Sequence, residues 1–140
     1  YQVETKGNPY AHLVLRGGSD GPNYGVEHLM QADALFRKHK VKNPAIIVDA
    51  SHDNSRVSGA KSTSQQAMVV KEVLAVRNVN PEIRKLVKGF MVESFLKDGS
   101  QKIESLSPET IDRAGLSVTD PCMGWERTEE LIREIANSIA

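Results

Sequence analysis

The chain has one cysteine, no excess of either charge and no long apolar run, and each absence closes off a class of function. Cys122 alone among 140 residues cannot form an internal disulfide, which argues against a small secreted disulfide scaffold. Eighteen basic side chains balance eighteen acidic ones, whereas a nucleic-acid or membrane-surface binder needs a basic excess on one face. No apolar stretch approaches the roughly 20 residues that span a bilayer. The N-terminus shows no basic segment leading into an apolar one, so no export signal is read and a soluble cytoplasmic protein is expected. Low-complexity segments and self-similar repeats are lacking too. The length suits a single domain with a real core. The chain starts at Tyr1 rather than Met, inside a polar stretch that reads as a cut through something longer.

Three short apolar runs are present instead. Residues 12–16 end in Arg16 and are closed by Gly17-Gly18; residues 45–50 are closed by Ser51 and His52; residues 89–93 end in Glu93. All are rich in β-branched or aromatic residues and too short for helices, so they read as strands. Their nearly unbroken hydrophobicity suits parallel strands covered on both faces. Helical patterns lie between and after them. The first covers residues 26–40. The second starts at Thr63, whose spacing to Gln66 reads as a capping box, and is ended or interrupted by Asn80-Pro81. The third runs from about residue 128 to the C-terminus with Leu131, Ile132, Ile135, Ala136 and Ile139 as its apolar stripe. Strand, loop and helix, three times over, is the grammar of an α/β protein with right-handed parallel crossovers. Residues 97–119 are too long for an ordinary connection and read as functional or as carrying a small hairpin.

The ionisable residues fall in a pattern. Arg16, His52 and Glu93 each close or follow a strand, and in a parallel α/β sheet or barrel the C-terminal strand ends form the functional face. Asp120 joins them from the end of the long loop. One imidazole and two carboxylates form a common ligand set for a divalent metal. No compact metal motif such as HExxH is present, so each residue also has a plainer reading. His52 could be a hydrogen-bonded structural histidine, Glu93 a salt-bridged strand-end carboxylate, and Asp120 a turn residue before proline. A single face hosting all three weakens those plainer readings jointly. Arg16-Gly17-Gly18 offers a forked donor followed by backbone free to approach a phosphate or carboxylate, or simply a Gly-Gly turn. Asp49, a lone charge in a strand, needs a partner and could support the loop around His52. Cys122 reads as a bystander, and His12, His28 and His39 as structural or surface residues.

These strings resemble type I DAHP synthase (3-deoxy-D-arabino-heptulosonate 7-phosphate synthase, or phospho-2-dehydro-3-deoxyheptonate aldolase). They are Gly7-Asn8-Pro9, His12 through Gly18, Pro22-Asn23-Tyr24, Asp49 through Ser55, Met91-Val92-Glu93-Ser94 and Thr119 through Glu126. The resemblance runs through essentially the whole chain, in order. It implies that residues 1–140 are the C-terminal part of a single (β/α)8 TIM-barrel catalytic domain. The chain would supply three βα units with parallel strands, an incomplete barrel taken alone.

By that resemblance His52, Glu93 and Asp120 are ligands of a divalent metal (Mn, Fe, Zn or Co). Arg16 holds the phosphate of phosphoenolpyruvate, and His52 and Asp120 are the catalytic residues, with Asp120 able to relay a proton. The implied reaction condenses phosphoenolpyruvate with erythrose 4-phosphate, releasing phosphate, as the first step of aromatic amino-acid biosynthesis (the shikimate pathway). A homo-oligomer is expected, with no nucleic-acid or membrane partner. The family's fourth metal ligand, an upstream cysteine, has no counterpart here, and upstream substrate-binding residues are likewise outside the sequence. An aromatic amino-acid effector would act through those same segments. The isolated chain is therefore expected to be inactive. The competing readings are a non-catalytic relic with residual metal binding or self-association, and the related octulosonate-phosphate synthase.

Overall fold

The computed structural model describes residues 1–139. Its centre is a three-stranded parallel sheet of β1 (Leu13–Leu15), β2 (Ile46–Asp49) and β5 (Val87–Met91), ordered β1-β2-β5. Leu13, Val14 and Leu15 pair with Ile46, Ile47 and Val48, and Val48 pairs in turn with Phe90. Parallel neighbours need long crossovers. The first is helix α1 (Val26–Lys38); the second contains α2 (Thr63–Val79) and the short α3 (Pro81–Leu86). Helix α4 (Trp125–Ile139) follows the long loop after β5, and Ala140 lies outside the described residues.

One face of the sheet makes the core. Leu15, Ile46, Val48 and Val87 are buried in one cluster with Leu29 and Ala32 of α1, Val69, Val70, Val73 and Leu74 of α2, Ile83 and Leu86 of α3, and Leu131 of α4. Register pairing and alternation put Val14, Ile47 and Gly89 on the opposite face, where they are only half-buried. The expectation of strands covered on both faces therefore holds best for central β2. The outer strands expose Leu13 and Met91. A register shift opposite Lys88 starts β5 at Val87, two residues earlier than expected, and leaves Glu93 beyond its end.

Local signals moved several boundaries. The N-cap of α2 is Ser62, whose hydroxyl accepts from the Gln65 amide at 3.3 Å; Thr63 is already helical, so Thr63 and Gln66 form no capping box. Asn80 closes α2 and caps α3, accepting from the Glu82 and Ile83 amides, with Pro81 in the first turn where its missing N–H costs nothing. Helix α4 begins at Trp125 rather than near residue 128. The amide of Gly124 just before it is held by Asp98 Oδ1 at 3.2 Å, a partner 26 residues away that local periodicity does not reveal. Of the stripe on α4, Leu131 is buried and Ile135 half-buried, whereas Ile132, Ala136 and Ile139 face solvent.

The hairpin is in a different place from the one anticipated. Residues 97–119 hold a 3-10 turn at Ile103–Ser105 and isolated bridges such as Ser100 with Ser117. A true hairpin joins β3 (Arg56–Val57) and β4 (Ala60–Lys61) right after the His52 loop. Its two-residue turn, Ser58-Gly59, has positive φ at both positions, the geometry whose twist matches paired strands.

Candidate metal centre

The C-terminal ends of β2 and β5 place the first two expected ligands. Past Asp49 the chain turns through His52 into a 3-10 turn at Asp53–Ser55. Asn54 secures that turn from inside. Its buried amide donates to the Leu15 carbonyl at 3.0 Å and the Asp49 carbonyl at 2.8 Å, while its oxygen accepts from the Asn23 amide at 2.8 Å. The turn is thus stitched to the ends of β1 and β2. The Asp53 and Asn54 amides also donate to the Arg16 carbonyl, at 3.0 and 3.3 Å.

Asp49 meets its partner. It is almost wholly buried, and a buried carboxylate must be hydrogen-bonded. One oxygen accepts from the Ser51 amide at 2.8 Å and the other sits 2.6 Å from His52 Nδ1. A carboxylate only accepts, so Nδ1 is the donor, and the lone pair of a neutral ring is on Nε2. This carboxylate-histidine arrangement fixes the ring of a metal-binding histidine. His52 Nε2 lies 3.8 Å from Glu93 Oε1.

His52, Glu93 and Asp120 do come together: one ligand atom from each lies within 4.8 Å of the other two, and all three residues are half-buried. Among the described residues, Glu93 Oε2 is buried without a hydrogen-bond partner. A desolvated carboxylate oxygen with no donor is costly to the fold, and it is what a cation beside it would satisfy. Asp120 Oδ2 accepts from Lys61 Nζ, which arrives on β4. The donor set of one imidazole nitrogen and two carboxylates fits a divalent transition metal. Cys122 stays out of the cluster, its thiol aimed at the Asp120 carbonyl at 3.6 Å.

Sequence reasoning missed Gln66. Its fully buried side chain lies beneath all three ligand-bearing loops. Oε1 accepts from the Ser51 hydroxyl at 3.2 Å and the Glu93 amide at 3.0 Å, and Nε2 donates to the Pro121 carbonyl at 3.3 Å. Each of those three residues is a ligand or the neighbour of one. Lys61 escaped too, because nothing local connects it with Asp120; the Ser58-Gly59 dipeptide was the available signal for the hairpin that carries it.

Arg16 is placed next to this centre without being part of it. Its side chain is exposed and forms no ion pair among the described residues, and its backbone holds the Asp53–Asn54 amides. Gly17 has a different use from the ligand approach anticipated. With φ +77°, a Cβ there would fall 2.7 Å from the Asn54 nitrogen, so the glycine lets the 53–54 backbone close in. Arg56 holds the Asp53 carboxyl below the usual carboxylate range by hydrogen bonding to it, with the charges of Arg56, Lys61 and Arg16 adding to the effect. Three cations therefore gather around Asp53, on the side of the centre where the hairpin lies.

Comparison with known proteins adds an independent line. A family model described as the DAHP synthetase I family matches residues 1–133. The Trp-sensitive phospho-2-dehydro-3-deoxyheptonate aldolase of Escherichia coli strain K12 is 38% identical over 138 residues, 97% of this chain and 36% of that protein. The Tyr-sensitive enzyme of Enterobacter agglomerans is 38% identical over 133 residues, 95% of this chain and 57% of that sequence. Among solved structures, the phospho-2-dehydro-3-deoxyheptonate aldolase of Francisella tularensis SCHU S4 superposes with a TM-score of 0.81 at 33% identity, over 96% of this chain and 36% of that one. The chain thus spans about a third of the E. coli and Francisella proteins it matches.

Proposed function

The chain belongs to the DAHP synthetase I family, and on that footing we propose that it supplies part of the active site for condensing phosphoenolpyruvate with erythrose 4-phosphate. Its three parallel strands and their helices are read as the last three βα units of a (β/α)8 barrel, residues 1–140 being the C-terminal part of one catalytic domain. The half-buried face of Val14, Ile47 and Gly89 supports this reading, since such a face would point into the barrel. The observations that carry the assignment are the convergence of one ligand atom each from His52, Glu93 and Asp120 to within 4.8 Å, and a Glu93 carboxylate whose Oε2 has no hydrogen-bond partner among the described residues.

In this reading His52 Nε2 and the Glu93 and Asp120 carboxylates hold a divalent metal, Mn, Fe, Zn or Co. When bound, such a cation supplies Lewis acidity to polarise the aldehyde oxygen of the sugar phosphate. The chain's own residues do the rest. Asp49 keeps the His52 ring in the tautomer and orientation that present Nε2. Arg16, exposed at the end of β1, offers a planar fork to a phosphate, a match that an ammonium cannot give. Asp120 stands on a loop beside His52 and Glu93, and its carboxylate is assigned the proton transfer of the condensation. The chain spans about a third of the E. coli and Francisella proteins it matches, so the substrates' remaining contacts are assigned to the upstream part of the complete enzyme. No helix among the described residues is long and apolar enough to cross a membrane.

Condensation activity tests the proposal. With manganese and both substrates, the 140-residue chain alone is expected to show no turnover. Turnover should appear when the upstream part of a family member is supplied in trans, and should be lost with Asp120→Asn or Arg16→Ala. Robust turnover by the chain alone, or complementation unaffected by both substitutions, would contradict the assigned roles.

A further inference from the structure

The cation nearest the proposed metal ligands is the protein's own. Lys61 Nζ donates to Asp120 Oδ2, the two residues being 59 positions apart in sequence. The lysine side chain is largely buried, at 17% exposure, while the aspartate's is 44% exposed. The contact is built, not incidental. The Ser58-Gly59 turn reverses the chain, Val57 pairs with Ala60 and Arg56 with Lys61, and the Ser62 amide donates to the Ser55 carbonyl at 3.0 Å where the hairpin closes. The Arg56 guanidinium braces the same hairpin on Asp53 and on the Gly59 carbonyl at 2.7 Å. A two-stranded ribbon is thereby spent on bringing one ammonium to one carboxylate.

Asp49, Glu93 and Asp120 put three carboxylates around His52, and clustered anions in a partly desolvated place repel one another. Asp49 is answered by His52 and backbone amides, and Glu93 Oε2 by nothing. Asp120 is answered by Lys61. A divalent cation bound by Asp120 would sit across one carboxylate group from that ammonium, close enough for strong repulsion at the effective dielectric of a protein.

We propose that Lys61 is an internal counter-ion of Asp120 that opposes cation binding and so sets the centre's metal affinity. The inference rests on the metal-site reading above. It makes Lys61 an affinity-setting counter-ion, not a ligand, and it gives the β3–β4 hairpin a purpose: neutralising Asp120 in the metal-free site while keeping its metal affinity moderate.

Manganese affinity measured by electron paramagnetic resonance, counting free Mn2+ against the protein, tests this without any turnover assay. Lys61→Met and Lys61→Gln remove the charge, and both should bind Mn2+ about tenfold or more tightly than the unaltered chain. Lys61→Arg keeps the charge and should stay within about twofold. Circular dichroism of the metal-free variants checks that each is folded, with two neutral replacements guarding against failure of either. Equal or weaker binding by both neutral variants would overturn the inference, the weaker case making Lys61 an orienting group for Asp120. His52→Ala separates the two levels of argument. If it binds Mn2+ as well as the unaltered chain, the metal-site reading falls and this inference with it. If it loses binding while the neutral Lys61 variants gain none, the Lys61 inference alone falls.

Discussion

Replacing Gln66 with leucine keeps nearly the same volume and removes an amide that touches three loops. Glu93 N–H still donates to the Ser51 hydroxyl oxygen at 2.8 Å, but the proton of that hydroxyl loses its acceptor and the Pro121 carbonyl loses its side-chain donor. A buried donor and a half-buried acceptor left unsatisfied cost about 1–3 kcal/mol each. Greater apolar burial by leucine offsets about 2 kcal/mol of this. The net expectation is a loss of about 0–4 kcal/mol, which for a chain of this size lowers Tm by about 3–5 °C for every kcal/mol. The same substitution frees Ser51, Glu93 and Pro121 to drift, and removing such supporting hydrogen bonds weakens metal affinity about 10–100-fold. Differential scanning calorimetry and a Mn2+ titration on the same sample read both effects. A Gln66→Leu protein with Tm within about 2 °C of the unaltered chain and unchanged Mn2+ affinity would refute the view that this amide holds the ligand loops in register.

Other expectations follow from single contacts. Gly17→Ala forces a Cβ to within 2.7 Å of backbone at a positive φ; a stability loss of about 2 kcal/mol or more in urea unfolding is expected, and a neutral result would mean that the 16–17 and 53–54 segments do not approach so closely. Ile83→Ala empties a fully buried core position and should cost about 2–5 kcal/mol in the same assay. Tyr24 has its phenol raised above the usual value, by burial first and then by the neighbouring Glu72 carboxylate. A raised pKa means that its contribution to stability is complete below the ordinary phenol range and is lost only as pH climbs through the raised value. An ultraviolet titration of the unaltered chain minus Tyr24→Phe should therefore show its phenolate step above pH 10, and a step at or below that would contradict the burial. Asp53 works in the opposite sense. Held low chiefly by Arg56, it stabilises the fold above the ordinary carboxylate range and loses that contribution as pH falls through its depressed value, so Arg56→Met should flatten the acid limb of the stability curve.

The parallel order of the sheet was legible because the three strands carry short, dense apolar runs with polar residues at their C-terminal ends. The same feature exposed His52 and Glu93, which follow β2 and β5 directly. Asp120 was legible only as an acidic residue closing the long loop, since its approach to the other two depends on the whole of residues 97–119. What local pattern hid was set by distant partners. Asp98 caps the segment leading into α4, so the helix starts before its apolar stripe does. Gln66 looked like a helix-start residue because its spacing from Thr63 fits a capping box, but Ser62 caps the helix and Gln66 turns inward. The exposed Ile132 and Ile139 show the limit of periodicity: it marks an apolar face without saying what covers it. Lys61 belonged to a hairpin of two-residue strands, too short for alternation to register.

The proposed centre of His52, Glu93 and Asp120 is shaped for a cation rather than for the fold, and Glu93→Gln separates the two. Glu93 Oε2 is buried and unpartnered, so the metal-free protein gains nothing from that charge. Mn2+ binding by equilibrium dialysis, paired with metal-free thermal unfolding of both proteins, is the measurement. About one Mn2+ bound per chain is expected in the unaltered protein, none in Glu93→Gln, and a metal-free Tm for the variant that is equal or higher. A variant that binds Mn2+ undiminished, or that melts well below the unaltered chain, would show that Glu93 serves the fold and not a metal.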